Sequence, residues 1–407
     1  MKYLLIIGDG MADHPVPVLG DKTPLEAAAI PILDALARAG TLGKVRTVPQ
    51  ALPPGSDTAI LSILGCDTAR CYSGRAPLEA AAQGIFLQPG DAAYRCNNVS
   101  LSPAPSFGAC RIVSHSAGLS GDTGRRLLED LFAHPEFAPL AREAGLQAYP
   151  TDSFRHIVVQ TGADNTGLST APPHDHLGEA VAPLLPAGCP NAALLARVME
   201  RAWEILDRHP INRARRESGA LPANGIWLWA QGTAAALPDF RERFGLTGAV
   251  ISAVPLCHGI AALLGLETPM VEGATGELDT NYAGKVEATL AALTRHDFAA
   301  VHLEAPDECT HNGDLPGKIE AIQRLDKWIV APLISALRER EEPFRVLVLS
   351  DHLTLTADGS HNGEPVPFLL YDSREDKGGS GGYSEREAEH GPFLEAGTEL
   401  LPLLFAQ

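Results

Sequence analysis

The sequence predicts an α/β fold. Its core carries helices on both faces of a mostly parallel sheet, and a second, smaller α/β domain is inserted into that core. Three observations lead there. Short apolar runs alternate with helically spaced segments at both ends of the chain, the pattern of strands joined by crossover helices. The middle, from about Gln88 to Pro238, has shorter apolar runs and denser turn residues, with Pro103, Pro105, Pro172, Pro173, Pro186 and Pro190 punctuating it. The length of 407 residues exceeds one ordinary domain of ~150 residues.

Taken in order, Tyr3–Ile7 is a five-residue apolar run that reads as a buried first strand. Pro24–Ala39 follows with helical spacing of Leu25, Ala28, Ala29, Leu33 and Leu36. Near the far end, Phe298–Leu303 reads as a strand, Lys318–Leu337 as a helix and Phe344–Leu349 as a strongly aliphatic strand. These place the core at residues 1–87 and 239–407 and the inserted domain at residues 88–238.

Composition narrows the function classes. Lys and Arg total 32 against 50 Asp and Glu, a formal net charge of −18. No basic footprint for a nucleic acid is visible, so an anionic ligand needs cations concentrated locally. No apolar run reaches the ~18 residues that span a bilayer, and the opening run is shorter than the ~7–15 residues of a secretory signal core. The seven cysteines are scattered without a CxxC pair, which fits a reducing cytoplasm better than a disulfide framework.

Four places can carry chemistry. Asp9 follows the first strand between Gly8 and Gly10, at the strand end where open α/β sheets bind ligands; an Asp-Gly turn is the plainer reading. Ser56 follows the stiff Pro53-Pro54-Gly55 turn at the start of a helical pattern. It is an N-cap by default, yet the same place suits a nucleophile beside a phosphate held by helix N–H groups. Asp307 and His311 are four apart, on one face of a helical turn, and form a mixed oxygen and nitrogen donor pair. Asp351-His352 ends a buried strand, where both side chains are costly to bury unpaired, and His361 lies nine residues on, within reach across a loop. Together they supply about seven ligands, enough for two divalent ions that clamp an in-line displacement.

These residues are recognisable. Gly8-Asp9-Gly10, Pro54-Gly55-Ser56-Asp57-Thr58-Ala59, Gly74-Arg75-Ala76-Pro77-Leu78-Glu79-Ala80, Arg95-Cys96-Asn97, Ile226-Trp227-Leu228-Trp229, Asp279-Thr280-Asn281-Tyr282, Lys285, Ala305–Gly313 and Asp351-His352 with His361 occur in this order. The chain resembles, over nearly its whole length, the archaeal-type cofactor-independent phosphoglycerate mutases of the alkaline phosphatase superfamily. The resemblance implies an alkaline-phosphatase-like core and two divalent metal ions. Mn2+ is the expected pair, with Zn2+, Co2+ and Mg2+ chemically suitable. Asp307, His311 and His361 are then ligands of one ion; Asp9, Ser56, Asp351 and His352 are ligands of the other. Ser56 is the expected nucleophile, forming a phosphoserine between 3-phosphoglycerate and 2-phosphoglycerate. Arg75, Arg155, Arg213, Arg215 and Lys285 are candidate cations for substrate carboxylate and phosphate. The partner implied is a small phosphorylated substrate in the cytoplasm, with no nucleic acid and no membrane; oligomeric state is left open.

The sequence departs from that family in the inserted domain. The usual Asp-Tyr-Ser-Ala-Gly-His reads Ser114-His115-Ser116-Ala117-Gly118-Leu119, and the usual Thr-Asp-Pro-His region reads Thr170-Ala171-Pro172-Pro173-His174. These positions bear on the acceptor. They leave open a related phosphotransferase acting on an acceptor such as homoserine, or a phosphatase with water as acceptor.

Overall fold

The computed structural model describes residues 1–235, 237–379 and 381–406. The chain divides into two compact units, residues 1–72 with 236–407, and residues 73–235.

The first unit is built on a seven-stranded sheet. Its spatial order is Phe393–Leu394, Thr41–Val45, Val366–Asp372, Phe344–Leu349, Lys2–Gly8, Phe298–Leu303 and Gly248–Ile251. Only Val366–Asp372 runs against its neighbours; every other pairing is parallel. Leu4, Leu5, Ile6 and Ile7 are all buried, as are Val346 to Leu349. Successive strand residues face opposite sides of a sheet, so both faces are covered, as near-continuous apolar strands require. One face packs Leu4, Ile6, Val346 and Val348 against Leu33, Leu36, Ile322, Ile329 and Leu333.

Two helical expectations are refined. Pro24–Ala39 is two helices, Pro24–Ala27 and Pro31–Ala39, because Pro31 disfavours helical backbone at the residue before it. The Lys318–Leu337 segment is helical throughout. It runs Leu315–Arg324, then a wide π-type stretch Leu325–Val330, then Ala331–Glu339. Pro332, at the start of the last piece, lacks the N–H that would close an ordinary turn onto the preceding one.

The second unit carries an antiparallel sheet. The 11-residue strand Asp91–Leu101 lies between Arg155–Thr161 and Gly225–Thr233; Leu146–Tyr149 extends one side and Ile112–Ser114 pairs its far end. Helices Thr123–Ala133 and Pro190–Leu206 place Leu127, Leu131, Leu195, Val198 and Met199 in its core. The first division falls at 72/73 rather than 87/88. Helix Arg75–Ala82 puts Ala76 and Ala80 against Ala93, Ile157 and Val159 of this second sheet, so its apolar face belongs there. The return falls at 235/236, against an expected 238/239. All seven cysteines are unpaired, and among the described residues no helix is long and apolar enough to cross a membrane.

Candidate functional site

In the first unit the carboxyl ends of three parallel strands, Lys2–Gly8, Phe298–Leu303 and Phe344–Leu349, deliver Asp9, Asp307 and Asp351 to one place. Asp9 follows the first strand directly. Gly10 turns the chain away with φ +58°, and a Cβ there would lie 2.7 Å from Asp307 Oδ1, so only glycine fits between the two aspartates. Asp351 Oδ1 accepts from the Gly10 N–H (3.1 Å) and the His352 N–H (2.9 Å).

Asp307 and His311 lie on helix Ala305–His311, whose turn brings His311 Nε2 to 3.1 Å from Asp307 Oδ2. His361 returns on a two-residue hairpin: Thr354 pairs directly with His361, setting His361 Nε2 3.4 Å from Asp307 Oδ1 and 2.9 Å from His311 Nε2. Thr354 joins the two halves, donating to Asp307 Oδ1 (2.6 Å) and lying 3.3 Å from His352 Nδ1.

Ser56 is the first residue of helix Ser56–Ile63; Gly55, in extended backbone, is the cap. The serine side chain is thus free of capping duty. Its Oγ donates to Asp9 Oδ2 at 3.4 Å and lies 3.3 Å from His352 Nε2. All seven residues named for metal or nucleophile, Asp9, Ser56, Asp307, His311, Asp351, His352 and His361, fall in this one neighbourhood.

The electrostatics show what the group lacks. Asp9, Asp351 and His352 are fully buried. Asp9 Oδ1 and Asp351 Oδ2 find no hydrogen-bond partner among the described residues. Burial, then the charges of Asp351, Glu304 and Asp307, push the Asp9 carboxyl well above its ordinary range. Burial would also raise Asp307, but hydrogen bonds from His311 and His361 outweigh it and hold that carboxyl far below. Burial lowers His352, keeping it neutral and able to ligate. Donor atoms of Asp307, His311 and His361 lie within 4.8 Å of one another, as do those of Asp9, Asp351 and His352. Orphaned, mutually repelling carboxylate oxygens beside the neutral His352 imidazole fit a divalent cation in the group of Asp9, Asp351 and His352, and Asp307, His311 and His361 form the mixed oxygen and nitrogen donor set of the other.

The second unit holds a separate cationic group. Glu79 accepts from Arg95 Nε at 2.8 Å and from Arg75 Nε at 3.1 Å. Burial would raise Glu79, but Arg95, Arg75 and Arg155 hold it below its ordinary value. Arg95 stacks on Trp229 at 4.6 Å, and Arg155 lies over Phe154 at 5.4 Å. Burial, then Arg95, lowers Arg155 to about 10, and its Nε is buried with no hydrogen-bond partner among the described residues. The rings of His115 and His174, two of the departures noted above, lie 6.1 Å apart, with His174 5.2 Å from Trp229.

The other expected cations lie elsewhere. Arg213 is exposed on helix Pro210–Glu217, and Arg215 on the same helix is engaged by the carbonyls of Leu221 and Ala117. Lys285 belongs to the first unit. It is fully buried, donates to the His302 carbonyl at 2.9 Å and is lowered to about 8 by burial. Sequence reasoning quoted Glu79 and Arg95 within motifs but missed their pairing, which a 16-residue separation hides, and missed His302. His302 is the one imidazole in the apolar run Phe298–Leu303, and that anomaly was the available signal.

The core is a mostly parallel sheet with its polar groups gathered at the strand ends, where open α/β sheets bind their ligands. A family model described as type I phosphodiesterase / nucleotide pyrophosphatase matches residues 226–371. The model of 2,3-bisphosphoglycerate-independent phosphoglycerate mutase matches residues 37–212. The phosphoglycerate mutase of this type from Methanosarcina barkeri is 42% identical over 99% of both chains. That from Methanothrix thermoacetophila is 42% identical over 100% of both. A solved structure from Pyrococcus horikoshii matches with TM-score 0.79 at 29% identity, covering 99% of this chain and 96% of that one. The Thermoplasma acidophilum cofactor-independent phosphoglycerate mutase shares the fold, with TM-score 0.65 at 24% identity over 99% and 98%. The chain belongs to the 2,3-bisphosphoglycerate-independent phosphoglycerate mutase family.

Proposed function

We propose that this protein interconverts 3-phosphoglycerate and 2-phosphoglycerate through a phosphoserine at Ser56. The observation that carries the reading is the position of Ser56 Oγ. It sits at a helix N-terminus, 3.4 Å from Asp9 Oδ2 and 3.3 Å from His352 Nε2, with no cap to make. Helix N–H groups and the dipole favour a phosphate there.

Asp307, His311 and His361 would hold one divalent ion, Mn2+ by preference, and Asp9, Ser56, Asp351 and His352 the other. When bound, the ions neutralise phosphate charge and lower the pKa of a coordinated hydroxyl. The Ser56 proton faces the Asp9 Oδ2 acceptor. As the bond from Oγ to phosphorus forms, the bond from phosphorus to the glycerate oxygen breaks, and that oxygen takes up the proton Ser56 has lost, becoming a hydroxyl. Reversal onto the other glycerate hydroxyl regenerates Ser56, so one difficult exchange becomes two easier ones. Arg75, Arg95 and Arg155 are the cations best arranged for substrate anions, because guanidinium groups pair carboxylate and phosphate two bonds at a time. A small soluble substrate and a cytoplasmic setting follow from this reading.

The test is a coupled enolase assay with Mn2+ and no bisphosphoglycerate. Turnover abolished by chelator is expected. Ser56→Ala should lower kcat by at least 10³-fold and abolish labelling of the protein by [³²P]phosphoglycerate, with the fold intact by circular dichroism. Free phosphate as the sole product would establish water as the acceptor. ATP-dependent phosphorylation of homoserine without mutase turnover would establish another acceptor.

A further inference from the structure

His302 lies among the residues that surround Asp9 but has no part in the reading above. It is fully buried on the strand Phe298–Leu303. Its Nε2 lies 3.0 Å from Asp9 Oδ2, and its Nδ1 lies 3.1 Å from Ser252 Oγ. Ser252 Oγ already accepts from the Val254 N–H at 3.0 Å. The His302 carbonyl accepts from Lys285 Nζ, so backbone and ring are both tied.

These contacts fix the tautomer. In the ionised state that a bound cation imposes on Asp9, a proton on Nδ1 would leave the lone pair of Nε2 facing a carboxylate oxygen, acceptor against acceptor, at 3.0 Å. With Ser252 Oγ–H donating to Nδ1, Nε2 carries the proton and donates to Asp9 Oδ2, and every group in the chain from the Val254 N–H to Asp9 is matched. Both ring nitrogens of His302 are then committed, Nδ1 to Ser252 and Nε2 to Asp9. This distinguishes it from a ligand, although the donor atoms of Asp9, His302 and Glu304 gather within 4.8 Å.

We infer that Ser252 and His302 form a positioning relay that sets the rotation of the Asp9 carboxylate. Oδ2 is held on the His302 side, and the partnerless Oδ1 is turned toward His352, whose Nε2 lies 3.6 Å away. Donors behind metal-binding carboxylates and imidazoles typically govern affinity by 10–100-fold. The relay therefore acts on the cation group of Asp9, Asp351 and His352, and not on that of Asp307, His311 and His361.

The inference rests on the proposed two-cation reading, and calorimetric titration of metal-stripped full-length protein with MnCl2 separates the two. Wild type should bind two Mn2+; failure to bind would overturn the reading itself. His302→Ala should weaken one site by 10–100-fold and leave the other unchanged. His302→Gln keeps an N–H at similar reach and should recover most of the loss. Ser252→Ala, which frees the tautomer without emptying the histidine position, should give a smaller loss at the same site. Wild-type affinity at both sites in His302→Ala, or equal weakening of both sites without rescue by Gln, would overturn the relay. Should His302→Ala fail to fold by circular dichroism, folded Ser252→Ala decides: selective weakening supports the relay and unchanged binding ends it.

Discussion

Beside the candidate centre, a buried ion pair carries more of the structure than its surroundings suggest. Lys318 and Asp13 are both buried, with Nζ 2.8 Å from Oδ2. Asp13 Oδ2 also accepts from the Thr356 N–H and hydroxyl, and Lys318 donates to the Thr354 carbonyl at 2.6 Å. The pair therefore anchors the hairpin that carries His361. Removing one partner of such a pair leaves an uncompensated buried charge at a cost of about 3–5 kcal/mol. Lys318→Met should destabilise the first unit by that order in urea unfolding followed by Trp328, the first unit's tryptophan. Lys318→Met with Asp13→Leu should recover part of it, since no lone charge remains. At this scale the sequence was legible where spacing carried the message. Asp307 and His311, four apart, needed only a helical turn; Ser56 needed only the stiff turn before it. His302 stood out as the one imidazole of an apolar strand, but its partners Asp9 and Ser252 are distant in the chain, and the burial of Lys285 under its helix has no local signature.

Among the elements, the strand Arg155–Thr161 of the second unit holds a pH-sensitive group. His156 is fully buried. Its Nε2 meets Asn98 Oδ1 at 2.7 Å, and its Nδ1 accepts from the Thr151 N–H at 3.0 Å. Burial lowers it to about 4. The folded unit thus keeps His156 neutral at pH values where the unfolded chain, at an ordinary ~6.5, takes up a proton. Stability from this group is complete above pH ~6.5 and is lost as pH falls from there toward 4, by about 1.4 kcal/mol per unit at most. His156→Gln should flatten this slope in thermal unfolding measured from pH 7 to pH 4. An equal slope in both proteins would place the acid sensitivity elsewhere. Element boundaries were legible to differing degrees for related reasons. Parallel strands such as Phe344–Leu349 declare themselves as aliphatic runs. Helix Arg75–Ala82 was assigned to the wrong unit because its apolar face of alanines and Leu78 suits either sheet, and only packing against Ala93, Ile157 and Val159 decides. Arg213 and Arg215 were expected to meet substrate carboxylate and phosphate, yet that helix presents one to solvent and spends the other on carbonyls.

For the molecule as a whole, the cation centre and stability are linked. Asp9, Asp351 and Asp307 crowd together with two carboxylate oxygens unpaired, so bound divalent ions should stabilise the first unit specifically. Ligand linkage gives ~2.7 kcal/mol at a hundredfold excess over Kd. MnCl2 should therefore raise the thermal midpoint reported by Trp328, and chelator should reverse it. The transition of the second unit, reported by Trp203, Trp227 and Trp229, should move less. Equal shifts in both would mean that the ions act on more than the clustered aspartates and histidines.

The order of the strands has a further consequence for how the chain is made. Lys2–Gly8, an interior strand of the large sheet, pairs with Phe298–Leu303 and Phe344–Leu349, segments that leave the ribosome some three hundred residues after it. Until then a strand with the apolar run Tyr3–Ile7 has neither of its two partner strands, while the sheet of residues 73–235 has all its strand pairings within its own span. Nascent protein should acquire its middle first. The opening segment remains a client for chaperones until the last third emerges.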